Sequence, residues 1–293
     1  MMRVDAHLHL WAPACGFDNR PVADHVFYRR DFLMTDVGQD LAQCRIAAAV
    51  LVQTCPQASE TQWLLDLARN DARIAGVTGW VDLDTPGVDW APLVDEKLLV
   101  GIRAQLRRVA DDAFVLRPQV LHNIAAALDA GLSVTMLAEP RHYAFVERAL
   151  EILPPGPVLF NHLCMPTPQT DRSLWRNTLA RLVRRPQTYV QLSGLPFLFG
   201  SAWRSPDVQS MLDDAFDSIG PQRLVFASDW PMLLRFATYG DWVDCVEAFL
   251  ARRAADAATA SDIFGGNLAR AMPRLSPPFH TQHALQPTTE QHA

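Results

Sequence analysis

Ala48-Ala49-Val50-Leu51-Val52-Gln53-Thr54, followed by the amphipathic stretch Ser59–Asn70, is the part of the chain from which the architecture reads most directly. The first run is apolar at consecutive positions rather than alternate ones, the pattern of a strand buried on both faces of a parallel sheet. The second carries Trp63, Leu64, Leu67 and Ala68 at the spacing of one helical face. The same couple recurs along the chain. Further apolar runs are Arg3–Leu10, Ile74–Leu83, Leu99–Leu106, Leu132–Ala138, Val158–Leu163, Thr188–Gly194 and Leu224–Pro231. Helix-like segments follow at Pro118–Ala130, Tyr143–Leu153, Ser173–Arg185, Ser205–Ile219 and Tyr239–Ala255. Strand alternating with helix implies βαβ units and a parallel sheet. Eight such units in roughly 265 residues predict a (β/α)₈ TIM barrel. The alternative is an open, doubly wound sheet, but no GxGxxG or GxxxxGK[ST] follows any strand run.

Residues 1–275 are read as a single barrel domain that ends in a helix over Ser261–Met272, with Ser261 as its N-cap. Residues 276–293 are rich in Pro, Gln, Thr and His without periodicity, and are expected to form a flexible tail. The 293 residues are 49% hydrophobic, enough to bury a full core. The net charge of −6 and the absence of a run of five basic residues argue against a nucleic-acid partner. No uninterrupted apolar stretch is long enough to span a membrane. The five cysteines, Cys15, Cys44, Cys55, Cys164 and Cys245, are odd in number and lack CxxC spacing. A disulfide framework or zinc ribbon is therefore not expected. Together with an N-terminus that has no signal-peptide core, this points to the cytoplasm. The expected partner is a small-molecule substrate, and a homo-oligomer remains an option.

Three stretches carry chemistry. In Val4-Asp5-Ala6-His7-Leu8-His9-Leu10-Trp11, His7 and His9 share one side of a strand end, where two imidazoles can grip one divalent ion. Two packed, hydrogen-bonded histidines would give the same pattern. In Val225-Phe226-Ala227-Ser228-Asp229-Trp230-Pro231 a carboxylate closes a buried apolar run, which is costly unless it is paired, caps a helix or binds a metal. Asn161-His162-Leu163 places a third histidine at the end of the sixth strand. The first and eighth strands become neighbours when a barrel closes, so these residues converge on its active face.

The chain resembles the amidohydrolase superfamily through His7-x-His9, His162 and Ser228-Asp229-Trp230-Pro231. More narrowly it resembles the amidohydrolase-2 branch of lactonases and decarboxylases, and within it the L-fuconolactonase and L-rhamnonolactonase type. The segments that carry this narrower likeness include Tyr28-Arg29-Arg30-Asp31-Phe32-Leu33, Gly76-Val77-Thr78-Gly79-Trp80-Val81-Asp82-Leu83, Gly101-Ile102-Arg103 and Ile263-Phe264-Gly265-Gly266-Asn267. The family often has a His where this chain has Ala104, and Asp-His-Leu-Gly where it has Asn161-His162-Leu163-Cys164. The binuclear relatives' bridging Lys or Glu and fifth-strand His are missing from Gly101-Ile102-Arg103-Ala104 and Leu137-Ala138-Glu139-Pro140. The resemblance thus implies at most one divalent ion, zinc first, while some members of the branch act without metal.

The implied chemistry is hydrolysis of a sugar-acid lactone. His7, His9, His162 and Asp229 form the ligand set, Asp229 is the general base, and His162 is alternatively a donor to the oxyanion. Arg103, Arg141 and His142 are candidates for substrate oxygens, and Trp11 and Trp230 for the sugar face. The same residues also suit a decarboxylase of this branch or a hydrolase of a carboxylated, pyrone- or muconolactone-like lactone. A non-catalytic sugar-binding barrel is the reading from a different class.

Overall fold

The structure, a computed structural model, describes residues 2–13 and 26–275. Its strands are β1 (Val4–Leu8), β2 (Ala48–Val52), β3 (Ile74–Gly79), β4 (Leu99–Ala104), β5 (Ser133–Met136), β6 (Val158–Phe160), β7 (Thr188–Leu192) and β8 (Leu224–Phe226). They are parallel and pair in sequence order, β1 through β8. Every residue in them is buried, as the consecutive apolar runs require.

The intervening helices are α1 (Met34–Gln43), α2 (Ala58–Asn70), α3 (Ala91–Asp95), α4 (Pro118–Asp129), α5 (Tyr143–Ile152) and α6 (Arg172–Leu182). They continue as α7 (Leu195–Phe199), α8 (Pro206–Ile219), α9 (Tyr239–Arg252), α10 (Ala257–Ser261) and α11 (Asn267–Ala271). The expected (β/α)₈ barrel is therefore present. One unit is reduced, since the β3–β4 crossover contains only the five residues of α3.

Each apolar run in the sequence outlasts the strand it marks. Leu224–Pro231 contains β8 only as Leu224–Phe226, yet residues 227–230 stay buried. They run past β8 into the barrel mouth, where strand pairing is reduced to the single bridge between Leu8 and Trp230, so apolarity there reports burial more than regular sheet pairing. The expected helix over Ser261–Met272 is corrected. Ser261 is the last residue of α10, and the N-cap is Asp256, whose side chain accepts from the Thr259 N–H at 2.7 Å. A π-helical turn, Asp262–Gly266, then links α10 to α11. Asp caps as well as Ser does, and it stands ahead of two helix-favouring alanines. Leu268, Ala271 and Met272 join Val4, Ala48, Val100, Leu159, Tyr189 and Val225 in one buried cluster, near the amino ends of the strands. The predicted tail and its His280, His283 and His292 lie outside the described residues. Among those described, no helix is long and apolar enough to cross a membrane, and Cys44, Cys55, Cys164 and Cys245 are free thiols.

The barrel closes between β8 and β1 through a parallel bridge, Leu8 to Trp230. The Asp229 N–H donates to the His7 carbonyl at 3.0 Å and the His9 N–H to the Trp230 carbonyl at 2.8 Å. Asp5, fully buried, fastens this seam. Its Oδ1 accepts the His7 N–H at 3.0 Å and the Ser228 N–H at 2.9 Å, and its Oδ2 accepts the Tyr239 hydroxyl of α9 at 3.0 Å. Asp5→Ala leaves these donors buried without an acceptor. It should lower the unfolding free energy by about 3 kcal/mol, read from the shift of the urea midpoint at unchanged slope.

Candidate active site

The carboxyl ends of the strands bring together the residues that the sequence separates. Asp229 Oδ1 lies 3.9 Å from His7 Nε2, 3.6 Å from His9 Nε2 and 3.6 Å from His162 Nε2. All four side chains are buried, and His9, His162 and Asp229 line a cavity at the barrel mouth. Among the described residues, His7, His9 and Asp229 form the group able to hold a metal ion. His162 stands beside that group, and its Nδ1 pairs with the Ser193 hydroxyl at 2.9 Å.

Hydrogen bonding sets the tautomers of the paired imidazoles. His9 Nδ1 is 2.7 Å from the Val52 carbonyl, which can only accept, so this nitrogen carries the proton. His7 Nδ1 is 2.8 Å from Gln191 Oε1, and the Gln191 amide is oriented by its Nε2 donating to the Ala6 carbonyl at 3.3 Å. His7 therefore also donates from Nδ1. Both Nε2 atoms are left with bare lone pairs, 3.0 Å apart. Such a contact is repulsive by itself and becomes favourable around a shared cation. A shared divalent ion, which imidazole nitrogens approach to about 2.0–2.1 Å, would relieve that repulsion. The residues fit a divalent metal.

The electrostatics of the three rings agree with that donor set. Burial, then the neighbouring His9 and Arg103, push His7 well below the ordinary imidazole range. Burial and the Arg103 charge lower His9 to about 3. Burial likewise leads in lowering His162. All three rings are thus neutral near pH 7, as a metal ligand must be. Burial raises Asp229 well above the usual carboxyl range, and the Arg103 guanidinium opposes that rise. Burial lowers Arg103 itself to about 10.

Backbone strain positions two of these groups. Asp229 has φ 61°, and His162, Leu163, Cys164 and Met165 have φ 50°, 53°, 60° and 52°. Each non-glycine residue in this left-handed region costs roughly 1 kcal/mol or more. The turn is held because the Tyr143 hydroxyl donates to the Cys164 carbonyl at 2.7 Å, and Trp175 Nε1 to the Leu163 carbonyl at 2.7 Å. A glycine at position 164 would adopt this geometry without strain, and Cys164 keeps it at a cost. Gly194, with φ +82°, faces the other side of His162, and a Cβ there would sit 2.5 Å from the His162 Cβ.

The remaining site candidates separate. Arg103 lines the cavity, donating from Nη1 to the Gln53 carbonyl at 3.0 Å and from Nε to Asn161 Oδ1 at 3.3 Å. Arg141, His142, Trp11 and Trp230 are not among the described residues that line this cavity. Arg141 is ion-paired with Asp112 and Glu139 and donates to the Arg107 and Val109 carbonyls, so it anchors the loop after β4. His142 is buried, with Nδ1 accepting from the Glu139 N–H at 3.0 Å. Trp11 is buried and donates to the Tyr28 and Arg30 carbonyls, and Trp230 is buried against Phe32. An arginine or tryptophan just past a strand serves loop packing as readily as substrate, and only the fold distinguishes the two.

Comparison with known proteins agrees with this geometry. The amidohydrolase family matches residues 4–273. The chain belongs to the amidohydrolase family. An L-fucono-1,5-lactonase from Burkholderia ambifaria is 32% identical over 298 residues, covering 96% of this chain and 99% of the relative. A second L-fucono-1,5-lactonase, from Burkholderia multivorans, is 30% identical and covers 92% of this chain and 95% of the relative. The crystal structure of a Burkholderia multivorans amidohydrolase with bound zinc superposes with a TM-score of 0.85 at 30% identity, covering 93% of this chain and 99% of that one.

Sequence reasoning missed several residues around this amidohydrolase's site. Asp5 and Gln191 are polar positions inside otherwise apolar strand runs, and that interruption was the available signal. Glu60 is fully buried and receives the Thr54 N–H, the Thr54 hydroxyl and the Cys55 N–H, fixing the loop after β2. As an acidic residue in a first helical turn it looked ordinary. Two substitutions test the strained supports. Gly194→Ala should push His162 aside and lower kcat/KM by about 100-fold while the fold persists by circular dichroism. Cys164→Gly should retain turnover, whereas Cys164→Val should lower stability by about 1–2 kcal/mol in urea unfolding, because a β-branched residue resists this φ.

Proposed function

We propose that this amidohydrolase opens the lactone ring of a sugar acid. His7 and His9 hold one divalent ion, zinc, beside Asp229, which acts as general base. The single observation that supports this most is one carboxylate oxygen facing three neutral imidazoles at the floor of a cavity. The lactonase relatives, alignable over nearly their whole length, supply the reaction class.

A bound divalent ion supplies Lewis acidity toward the lactone carbonyl. Asp229 removes a proton from water as its oxygen forms a bond to the carbonyl carbon. A neutral His162 that accepts the Ser193 O–H at Nδ1 presents Nε2–H, a donor suited to the developing oxyanion. The buried Arg103 charge stabilises the same negative charge across the cavity. The ring C–O bond then breaks, and Asp229 returns its proton to the departing alkoxide. The product is a hydroxy acid.

The test is a screen of sugar lactones in weak buffer, with metal-stripped protein and protein restored with zinc or manganese. Hydrolysis releases a proton without carbon dioxide, and activity should vanish on stripping and return with the ion. Asp229→Asn should lower kcat/KM by about 10²–10⁴-fold. Turnover near that of the wild type in this variant rules out the base assignment, and carbon dioxide release favours decarboxylation. A second reading, a carboxylated lactone as substrate, is favoured by Arg103, Arg107 and Arg108 all lining the cavity. It requires that carboxylated lactones be turned over at higher kcat/KM than neutral ones.

A further inference from the structure

His7 is fully buried, and two side-chain amides meet at its Nδ1. Gln191 Oε1 lies 2.8 Å away and Asn161 Nδ2 3.2 Å away, and Asn161 Nδ2 also donates to Gln191 Oε1 at 2.7 Å. The neutral ring carries one proton, which has two possible homes. On Nδ1 it is donated to Gln191 and leaves Nε2 bare. On Nε2 it reaches the bare His9 Nε2 across 3.0 Å, while Nδ1 accepts from Asn161. Without an ion, the second arrangement removes the repulsion between the two Nε2 lone pairs. It also closes the site, because an imidazole N–H cannot ligate a metal.

Hydrogen bonds further from the ring choose between the two. The Arg103 guanidinium can only donate, and its Nε donates to Asn161 Oδ1 at 3.3 Å. That fixes the Asn161 amide with Nδ2 toward Gln191. The Ala6 carbonyl can only accept, and it takes Gln191 Nε2 at 3.3 Å. From both sides Gln191 is made to present Oε1 to the ring. An oxygen lone pair 2.8 Å from a bare Nδ1 is a closer clash than the 3.0 Å between the Nε2 atoms. Asn161 and Gln191 are fully buried and Arg103 nearly so, which leaves the clash unscreened by solvent. The proton on Nδ1 turns that clash into a hydrogen bond.

We propose that Gln191, locked by Asn161 and Arg103 on one side and by the Ala6 carbonyl on the other, is a positioning residue that keeps the His7 proton on Nδ1 before any ion arrives and thereby tightens divalent-metal binding. The affinity part rests on the metal reading of the site, and the tautomer part stands on the hydrogen bonds alone. Gln191 touches neither ion nor substrate in this scheme and acts only through His7. An oriented partner at the second nitrogen of a ligating histidine contributes about 10–100-fold in metal affinity. Here the relay ends on a guanidinium four side chains along, Arg103 to Asn161 to Gln191 to His7, drawn from β4, the end of β6, β7 and β1.

The test pairs nitrogen NMR of the metal-free protein, its histidine rings labelled with ¹⁵N, with zinc titration against a chromophoric chelator. In the wild type, the His7 ring should show a protonated Nδ1 and a bare Nε2. Gln191→Met removes the acceptor at similar volume. The proton should then move to Nε2, and the zinc Kd should rise about 10–100-fold. Asn161→Leu should shift the proton only in part, because the Ala6 carbonyl still orients Gln191. A wild-type His7 protonated at Nε2 overturns the relay, as does a Gln191→Met protein that keeps the proton on Nδ1. A moved proton with zinc affinity unchanged overturns the affinity part. The wild-type spectrum needs no variant, so a misfolded Gln191→Met leaves the relay decidable. Wild-type protein that binds no zinc discards the metal reading and the affinity part with it, while the spectrum still decides the tautomer.

Discussion

The seam between the first and last strands is held by few backbone bonds, and everything chemical in this protein depends on it. The His7 carbonyl accepts the Asp229 N–H, the Trp230 carbonyl accepts the His9 N–H, and Asp5 ties both sides to α9. The paired imidazoles stand on one side of the seam and the carboxylate on the other. Closure therefore assembles the group able to hold a metal ion, and brings Asp229 within 3.9 Å of both rings. A seam this short needs reinforcement, and a buried aspartate with three donors provides it. Burial raises Asp5 to about 6, against the opposing pull of those donors.

The site stores unfavourable arrangements that the scaffold enforces. Bare imidazole lone pairs face each other at 3.0 Å, a carboxyl is buried next to neutral rings, and a run of side-chain-bearing residues is wound left-handed. Each would relax if its surroundings allowed. Val52 and Gln191 prevent the rings from turning, while Tyr143 and Trp175 prevent the turn from unwinding. Such enforced geometry is what a site needs if its groups are to meet a ligand without rearrangement.

Polar groups within the barrel divide into two kinds. Asp5, Glu60, Gln191 and Arg141 have their hydrogen bonds satisfied within the protein and act by fixing loops and rings. His7 and His9 at Nε2 and Asp229 at Oδ1 are the atoms whose hydrogen bonding is left open toward the cavity or a shared ion. The second kind marks where a ligand belongs.

The barrel and the His7, His9, His162 and Asp229 set were legible in the sequence by itself. Both-face burial forces consecutive apolar residues, strand periodicity puts His7 and His9 on one side, and a charged residue ending a buried run stands out chemically. Where Arg141, His142, Trp11 and Trp230 pack was not legible, because a side chain past a strand end can turn into the cavity or back onto a loop, and distant partners such as Asp112 and Tyr28 decide which. The same holds for Asp5 and Gln191, whose partners lie tens to hundreds of residues away. Local pattern determines which elements form and which residues are costly to bury. Only the closed tertiary structure decides which of those costs is offset inside the protein and which is left for a ligand to offset.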